Sequence, residues 1–295
     1  MNKKFTVVSD SGMDAISSLR TDVPVASITV HFGSEAYALA DLPRDELVRR
    51  IAAGTLHPTT AQPSPQAWLD VYRRAAAQAE AAGAESIAAL AISSHVSGSF
   101  NAAQQARDIF AQESALPVRV VDSRIATIPQ SFMVNALGVA AEQGESVETG
   151  LRWAEQIRER SQIFFTTDTL EYLKRGGRID KVAAALGGML HIKPIITWQK
   201  AEGTMTASGK VRGSRAAWHE IAAQITRMYG EGTPLQAGFV YGMTPEDTQG
   251  LREEVMQSHP LLWEDNSPLN PSLMVHSGPH VLGVGVYPGK WPWEE

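Results

Sequence analysis

Four polar segments of the chain carry residue types that can hold an anion or do acid–base work. The first, Ala91-Ile92-Ser93-Ser94-His95-Val96-Ser97-Gly98-Ser99-Phe100-Asn101, runs from an apolar strand through small hydroxyl residues into a helix. Such a turn aims free backbone N–H groups and hydroxyls at one place, where the helix dipole favours a phosphate or a carboxylate. Ordinary helix capping accounts for the same residues. A nucleophile elbow would need G-x-S-x-G, and His95-Val96-Ser97-Gly98-Ser99 lacks the first glycine. The second segment, Pro58-Thr59-Thr60-Ala61-Gln62-Pro63-Ser64-Pro65, is polar and stiffened by prolines. That suits a pre-organised hydroxyl donor, and equally a plain loop ahead of a helix.

In the third segment, Leu170 to Ile179, a helix ends in Lys174 and Arg175, then Gly176 and Gly177, then Arg178. A basic helix C-terminus with a glycine cap explains Lys174 and Gly176. Arg178, with Arg212 as another candidate, either braces the turn or forms a small patch for an anion or a partner. In the fourth, Met274 to Gly283, a strand delivers His276 to a Gly-Pro turn, with His280 four residues on. Gly-Pro between the two histidines forbids the helix that would align them on a metal, so no metal is expected. His276 is then a structural histidine or a donor to a bound anion. Asp10 and Asp122 end strands, where they brace the following turns or serve as an acid. The chain has no G-x-x-x-x-G-K-[ST], no G-x-G-x-x-G after a strand, no H-E-x-x-H and no EF-hand loop, so nucleotide, dinucleotide and zinc-hydrolase readings lack their minimum parts.

The elements that would position these segments alternate. Phe5–Val8, Val25–Val30, Ser86–Ile92 and Arg119–Val121 read as strands, and Arg44–Ala53 as a helix with Leu47, Val48 and Ile51 on one face. Ser64 as N-cap and Pro65 as first helical residue open another helix, carrying Trp68, Val71, Tyr72 and Ala75. Strand-then-helix repetition implies a mostly parallel sheet covered on both faces, with ligands near the strand C-termini. After about residue 160 the pattern changes. Strand Ile163–Thr166, a short helix to Lys174, a helix Asp180–Leu190, strand Ile192–Trp198, helix Ser214–Tyr229, strand Leu235–Tyr241, helix Pro245–Ser258 and the runs Leu273–His276 and Val281–Tyr287 predict a second α/β unit with a mixed sheet. The expected domains are 1–160 and 161–295.

Length and composition agree with two globular domains: 295 residues, 43% hydrophobic and 20% charged. The absence of cysteine removes disulfides, thiolate nucleophiles and Cys-ligated metals. With 32 acidic against 26 basic residues and a net charge of −6, no large phosphate-tracking surface is expected, which argues against nucleic acid. The apolar run Phe5–Val8 is too short for a signal peptide, and no stretch reaches the roughly 18 apolar residues of a membrane span. A cytoplasmic location is expected, with no stable membrane insertion.

Taken together, seven ordered segments resemble the DegV family, fatty-acid-binding proteins that serve as the B subunit of bacterial fatty acid kinase. They are Val8-Ser9-Asp10-Ser11, Thr60-Ala61-Gln62-Pro63-Ser64, Ile92-Ser93-Ser94 with Ser97-Gly98-Ser99, Val121-Asp122-Ser123, Leu173 to Ile179, Ile192-Lys193-Pro194-Ile195, and His276-Ser277-Gly278-Pro279. The resemblance implies a two-domain α/β protein that holds a long-chain fatty acid between its domains in an apolar tunnel. It also implies a carboxylate cap of Thr60, Ser93, Ser94 and His276, no cofactor, and no catalytic residue of its own. The bound acid would be presented to an ATP-binding kinase subunit, with Arg175, Arg178 and Arg212 as candidate docking residues. Ala61 stands where the family has Ser, His280 where it has Gly, and His191 where Asn is common. The alternative from the residues alone is a small-molecule hydrolase acting at a Ser93/Asp122/His276 cleft.

Overall fold

The computed structural model describes residues 3–54, 57–179, 182 and 192–295. The first sheet consists of β1 (Thr6–Asp10), β2 (Val25–Ala26), β6 (Ile87–Ala91) and β7 (Val118–Asp122), all parallel, in the order β2-β1-β6-β7. Successive residues of a strand point to opposite faces, and here both faces are covered. Val7, Ala88 and Leu90 pack on one side, while Val8, Ala89 and Ala91 join Trp68 and Tyr72 on the other. Helices α2 (Pro65–Ala82) and α3 (Ser99–Glu113) cover that second side. The α2 N-terminus is as expected, with Ser64 accepting the Ala67 N–H at 3.1 Å and Pro65 at the first helical position.

The second sheet is mixed, in the order β10-β9-β8-β13-β11-β12. It comprises β8 (Gln162–Thr166), β9 (Lys193–Gln199), β10 (Thr204–Val211), β11 (Leu235–Tyr241), β12 (Leu261–Pro268) and β13 (Leu282–Pro288). Only β11 and β12 pair in parallel. Helices α7 (Ser214–Tyr229) and α8 (Gln249–Ser258) bury Ile221, Ile225, Leu251 and Val255 against one face. Towards the first sheet, the opposite face meets α4 (Thr127–Glu142), which is buried nearly all round, and α5 (Val147–Arg160) packs on α4. The fit is close at one point. Ile128 of α4 occupies the space that a Cβ on Gly238 of β11 or Gly285 of β13 would need.

Three sequence expectations change. Val25–Val30 is not one strand: β3 (Thr29–Phe32) leaves the first sheet and pairs antiparallel with β4 (Glu35–Ala38) and β5 (Thr59–Ala61) in a small separate sheet. This sheet sits beside helix α1 (Arg44–Ala53) in the chain. The Thr60 segment is therefore a strand rather than a loop, which fixes its side chain by ladder bonds to Val30. Leu273–His276 lies on helix α9 (Pro271–Ser277), capped by the Asn270 side chain on the Ser272 N–H, so a helix delivers His276. Most of the expected helix Asp180–Leu190, and His191, lie outside the described residues. Among those described, no helix is long and apolar enough to cross a membrane.

Candidate functional site

A cavity of about 410 Å³ opens where the two sheets, β5 and α9 meet. That volume is within the roughly 300–1,000 Å³ of small-molecule sites. Its apolar wall draws Phe165, Trp198, Met205 and Val240 from β8, β9, β10 and β11, and Ile92 from the end of β6. Ala61, Gln62 and Arg178 also line it and are exposed, which marks where it reaches solvent.

At this open side the second and fourth segments meet. Thr60 Oγ1 and His276 Nε2 are 2.8 Å apart. The other ring nitrogen, Nδ1, is buried without a partner among the described residues, tight against Gly176. An unpartnered acceptor is easier to bury than an unpartnered N–H, which favours the proton on Nε2. Nε2–H then donates to Thr60, whose hydroxyl proton is free for a ligand. Burial, with smaller contributions from Arg178 and His57, lowers the His276 pKa to about 4. The ring is therefore neutral at pH 7.

The third segment closes the same corner. Helix α6 (Glu171–Arg175) ends at Gly176, and Arg178 donates from Nε and Nη2 to the Val96 carbonyl at 3.1 and 3.0 Å and also bonds the Gly176 carbonyl. Arg178 thus ties the Gly-Gly turn to the loop after β6. Arg175 pairs with Glu171 at 2.7 Å. Arg212 is exposed and follows β10 at the end opposite Gly203, so the structure brings it into no bond with the other two.

Ser93 and Ser94 sit at the end of β6 with their hydroxyls engaged. Ser93, fully buried, donates to the Gly203 carbonyl at 2.6 Å. Ser94 donates to Asp122 Oδ2 at 2.6 Å, and its N–H meets Oδ1 at 3.2 Å. Neither is among the residues lining the cavity, whereas Ser97 and Ser99 are. The cleft Ser93/Asp122/His276 is not wired as a hydrolytic triad: His276 bonds Thr60, and Asp122 bonds Ser94 and the Arg124 N–H. Asp10 braces its turn as expected. It accepts from the N–H groups of Gly12 and Ile92, the Ser99 hydroxyl and Gln130, while complete burial raises its pKa against those donors.

The sequence reading missed the wall residues Phe165, Trp198, Met205 and Val240. Phe165, Trp198 and Val240 lie on strands buried on both faces, where no alternation singles out the cavity side, and Met205 lies on the edge strand β10, whose residues are half-buried or exposed. It also missed Thr127, a cavity residue held at φ +60°, an outlier for a β-branched side chain that no sequence pattern announces.

Residues 4–289 match the DegV family model, described as "Uncharacterised protein, DegV family". The chain belongs to the DegV family. A DegV domain-containing protein of Deinococcus radiodurans is 44% identical over 290 residues, covering 98% of both chains. Among solved structures, a DegV family protein from Thermus thermophilus, described for its fatty acid binding, superposes with a TM-score of 0.85 at 31% identity and covers 97% of this chain and 100% of its own. A stearic acid-binding protein from Eubacterium ventriosum reaches a TM-score of 0.85 at 27% identity, with coverage of 96% and 98%. The two-domain α/β architecture is thus the DegV one.

The His276 environment has a measurable consequence. Its pKa falls from 6.5 unfolded to about 4 folded, so between those values the unfolded chain binds the extra proton. Stability from this site is intact above 6.5 and is lost as pH falls towards 4, by about 3 kcal/mol in full. Asp14, raised from 3.8 to about 7, acts with the opposite sign over the same range. The unfolding free energy of wild type relative to His276→Gln is therefore expected to fall between pH 6.5 and 4. A pH-independent difference would contradict the buried neutral ring.

Proposed function

We propose that this DegV protein binds a long-chain fatty acid, with the acyl chain in the 410 Å³ cavity and the carboxylate at its open side. The observation that carries this reading is the Thr60–His276 pair, 2.8 Å apart, at the mouth of an otherwise largely apolar cavity. Burying about fourteen methylenes at about 0.8 kcal/mol each offers roughly 11 kcal/mol before ordering costs. A carboxylate buried unpaired would cost several kcal/mol, so it needs donors. Thr60 supplies its hydroxyl proton, and the guanidinium of Arg178 adds a positive field beside it. Ser93 and Ser94 do not line the cavity as it stands and join the cap only by releasing their present acceptors, the Gly203 carbonyl for Ser93 and Asp122 for Ser94.

In this reading the chain is a carrier of the cytoplasm with domains 1–160 and 161–295. It has no cofactor, and a separate kinase subunit phosphorylates the presented carboxylate. The sequence has no phosphate loop that would let it do so alone. Arg175, Arg178 and Arg212 are the proposed docking cations on a chain of net charge −6.

Titration with a fluorescent fatty acid tests the cap. Thr60→Ala is expected to weaken binding about 10- to 150-fold, the worth of roughly 1.5–3 kcal/mol for a hydrogen bond to a charged group. Ser93→Ala is expected to weaken it less, because its proton is shared with Gly203. Unchanged affinity in Thr60→Ala would remove Thr60 from the cap.

A further inference from the structure

The helix that carries His276 is gripped at its first turn by a loop from the other half of the molecule. Asp14, fully buried in the loop after β1, accepts the Asn270 backbone N–H on Oδ1 at 2.6 Å. The Asn270 side chain donates to the Met13 carbonyl at 2.9 Å and caps the Ser272 N–H at 2.9 Å. The Ser272 hydroxyl donates to the Ser11 carbonyl. Three bonds therefore cross from residues 11–14 to the start of α9. Asp14 is itself anchored to α4, since Ser131 Oγ accepts its N–H at 3.0 Å and donates to its carbonyl at 2.7 Å.

We propose that Asp14 is a positioning residue for the head-group site: its carboxyl fixes Asn270, Asn270 fixes α9, and α9 sets the His276 ring against Thr60. The helix has only seven residues, about 10 Å at 1.5 Å per residue, so it moves as one body and a shift at Asn270 reaches His276. The far end is held by different contacts. Thr167 Oγ1 donates to the Ser277 carbonyl at 2.9 Å, and the ring abuts Gly176. Releasing the near end would therefore tilt α9 rather than free it.

The chemistry of Asp14 fits a fixing role better than a stabilising one. Its second oxygen, Oδ2, is buried without a partner among the described residues, and burial raises the carboxyl to about 7. A buried carboxyl with one bond is poor value for stability, and an apolar side chain of similar size would bury more cheaply. What the carboxyl adds is the acceptor for Asn270. A protonated Oδ2 leaves that acceptor intact, and so does an asparagine.

The inference deepens the binding role proposed above, and rests on it only for the affinity readout; the ring readout needs no ligand. Ligand-free protein labelled with 15N in its histidine rings would be compared as wild type, Asp14→Asn and Asp14→Ala, with the His276 signals assigned by their loss in His276→Gln. Asp14→Asn is expected to leave the His276 signals and palmitate affinity as in wild type. Asp14→Ala is expected to move those signals and weaken palmitate binding about tenfold. Unmoved His276 signals in Asp14→Ala, or equal disturbance by both variants, would overturn the proposal and leave Asp14 a purely structural residue. Should Asp14→Ala not fold, Asp14→Leu, which keeps the branched shape but offers the Asn270 N–H no acceptor, must move the same signals; an unmoved ring there overturns the proposal as well. If wild type itself bound no palmitate, the carrier reading would fail while the ring signals still decided the role of Asp14.

Discussion

Gly176→Ala is expected to weaken fatty-acid binding by about 100-fold or more while leaving the protein folded. Gly176 has φ −75° and ψ −8°, a right-handed conformation that alanine adopts freely. Alanine is favoured over glycine by about 1 kcal/mol in such backbone, so no backbone penalty follows. The conflict is steric. A Cβ at this position would lie inside contact distance of His276 Nδ1 and 3.2 Å from both Cε1 and the Tyr172 carbonyl. The ring has no room to retreat along α9, because Ser277 and Gly278 behind it are buried against Thr167 and Tyr172. It must turn away from Thr60, and the cap loses its donor pair. Circular dichroism and thermal unfolding would report the fold, and fatty-acid titration the site. Wild-type affinity in Gly176→Ala would mean that the ring position does not matter to the ligand. The neighbouring Gly177, at φ +69°, is the residue that the left-handed turn itself requires.

The second large effect is expected from the apolar wall of the cavity. Val240 of β11 is 2% exposed and lines the cavity. Val240→Trp would fill the space that the acyl chain needs, at an overpacking cost of about 1–3 kcal/mol, which a two-domain chain tolerates. Because most of the binding energy in this account comes from methylenes, affinity for palmitate is expected to fall at least 100-fold, with a drop of only a few degrees in Tm. Short-chain acids that use only the mouth should lose much less. Equal affinity for palmitate in Val240→Trp would place the acyl chain elsewhere.

Much of the architecture could be read from residue patterns because its signals are local. Ser64-Pro65 opens α2, and the periodic run Ser214–Tyr229 and apolar run Leu235–Tyr241 appear with the expected bounds. The failures have physical causes. The helix α4 is buried on all sides, so it shows no polar face to set a 3.6-residue period. The strand β12, Leu-Leu-Trp-Glu-Asp-Asn-Ser-Pro, is an edge strand whose acidic residues disguise an alternating half-buried pattern. The α9 signal was present, Asn270 as N-cap and Pro271 at the first helical position, but the apolar Leu273-Met274-Val275 run reads equally as a strand. At the candidate site, Thr60 and His276 stand out as polar residues in Pro- and Gly-rich segments, yet nothing local says that they touch across 216 positions. The shared wall of four strands is equally invisible, because each contributes only one or two apolar residues.

The most direct test of the carrier account is the lipid content of the protein purified under native conditions. Organic extraction followed by mass spectrometry, referenced to protein concentration, is expected to return a long-chain fatty acid at close to one per chain. The yield should fall sharply in Thr60→Ala and in Val240→Trp. Preparations free of fatty acid, combined with no saturable binding of added palmitate, would contradict the account.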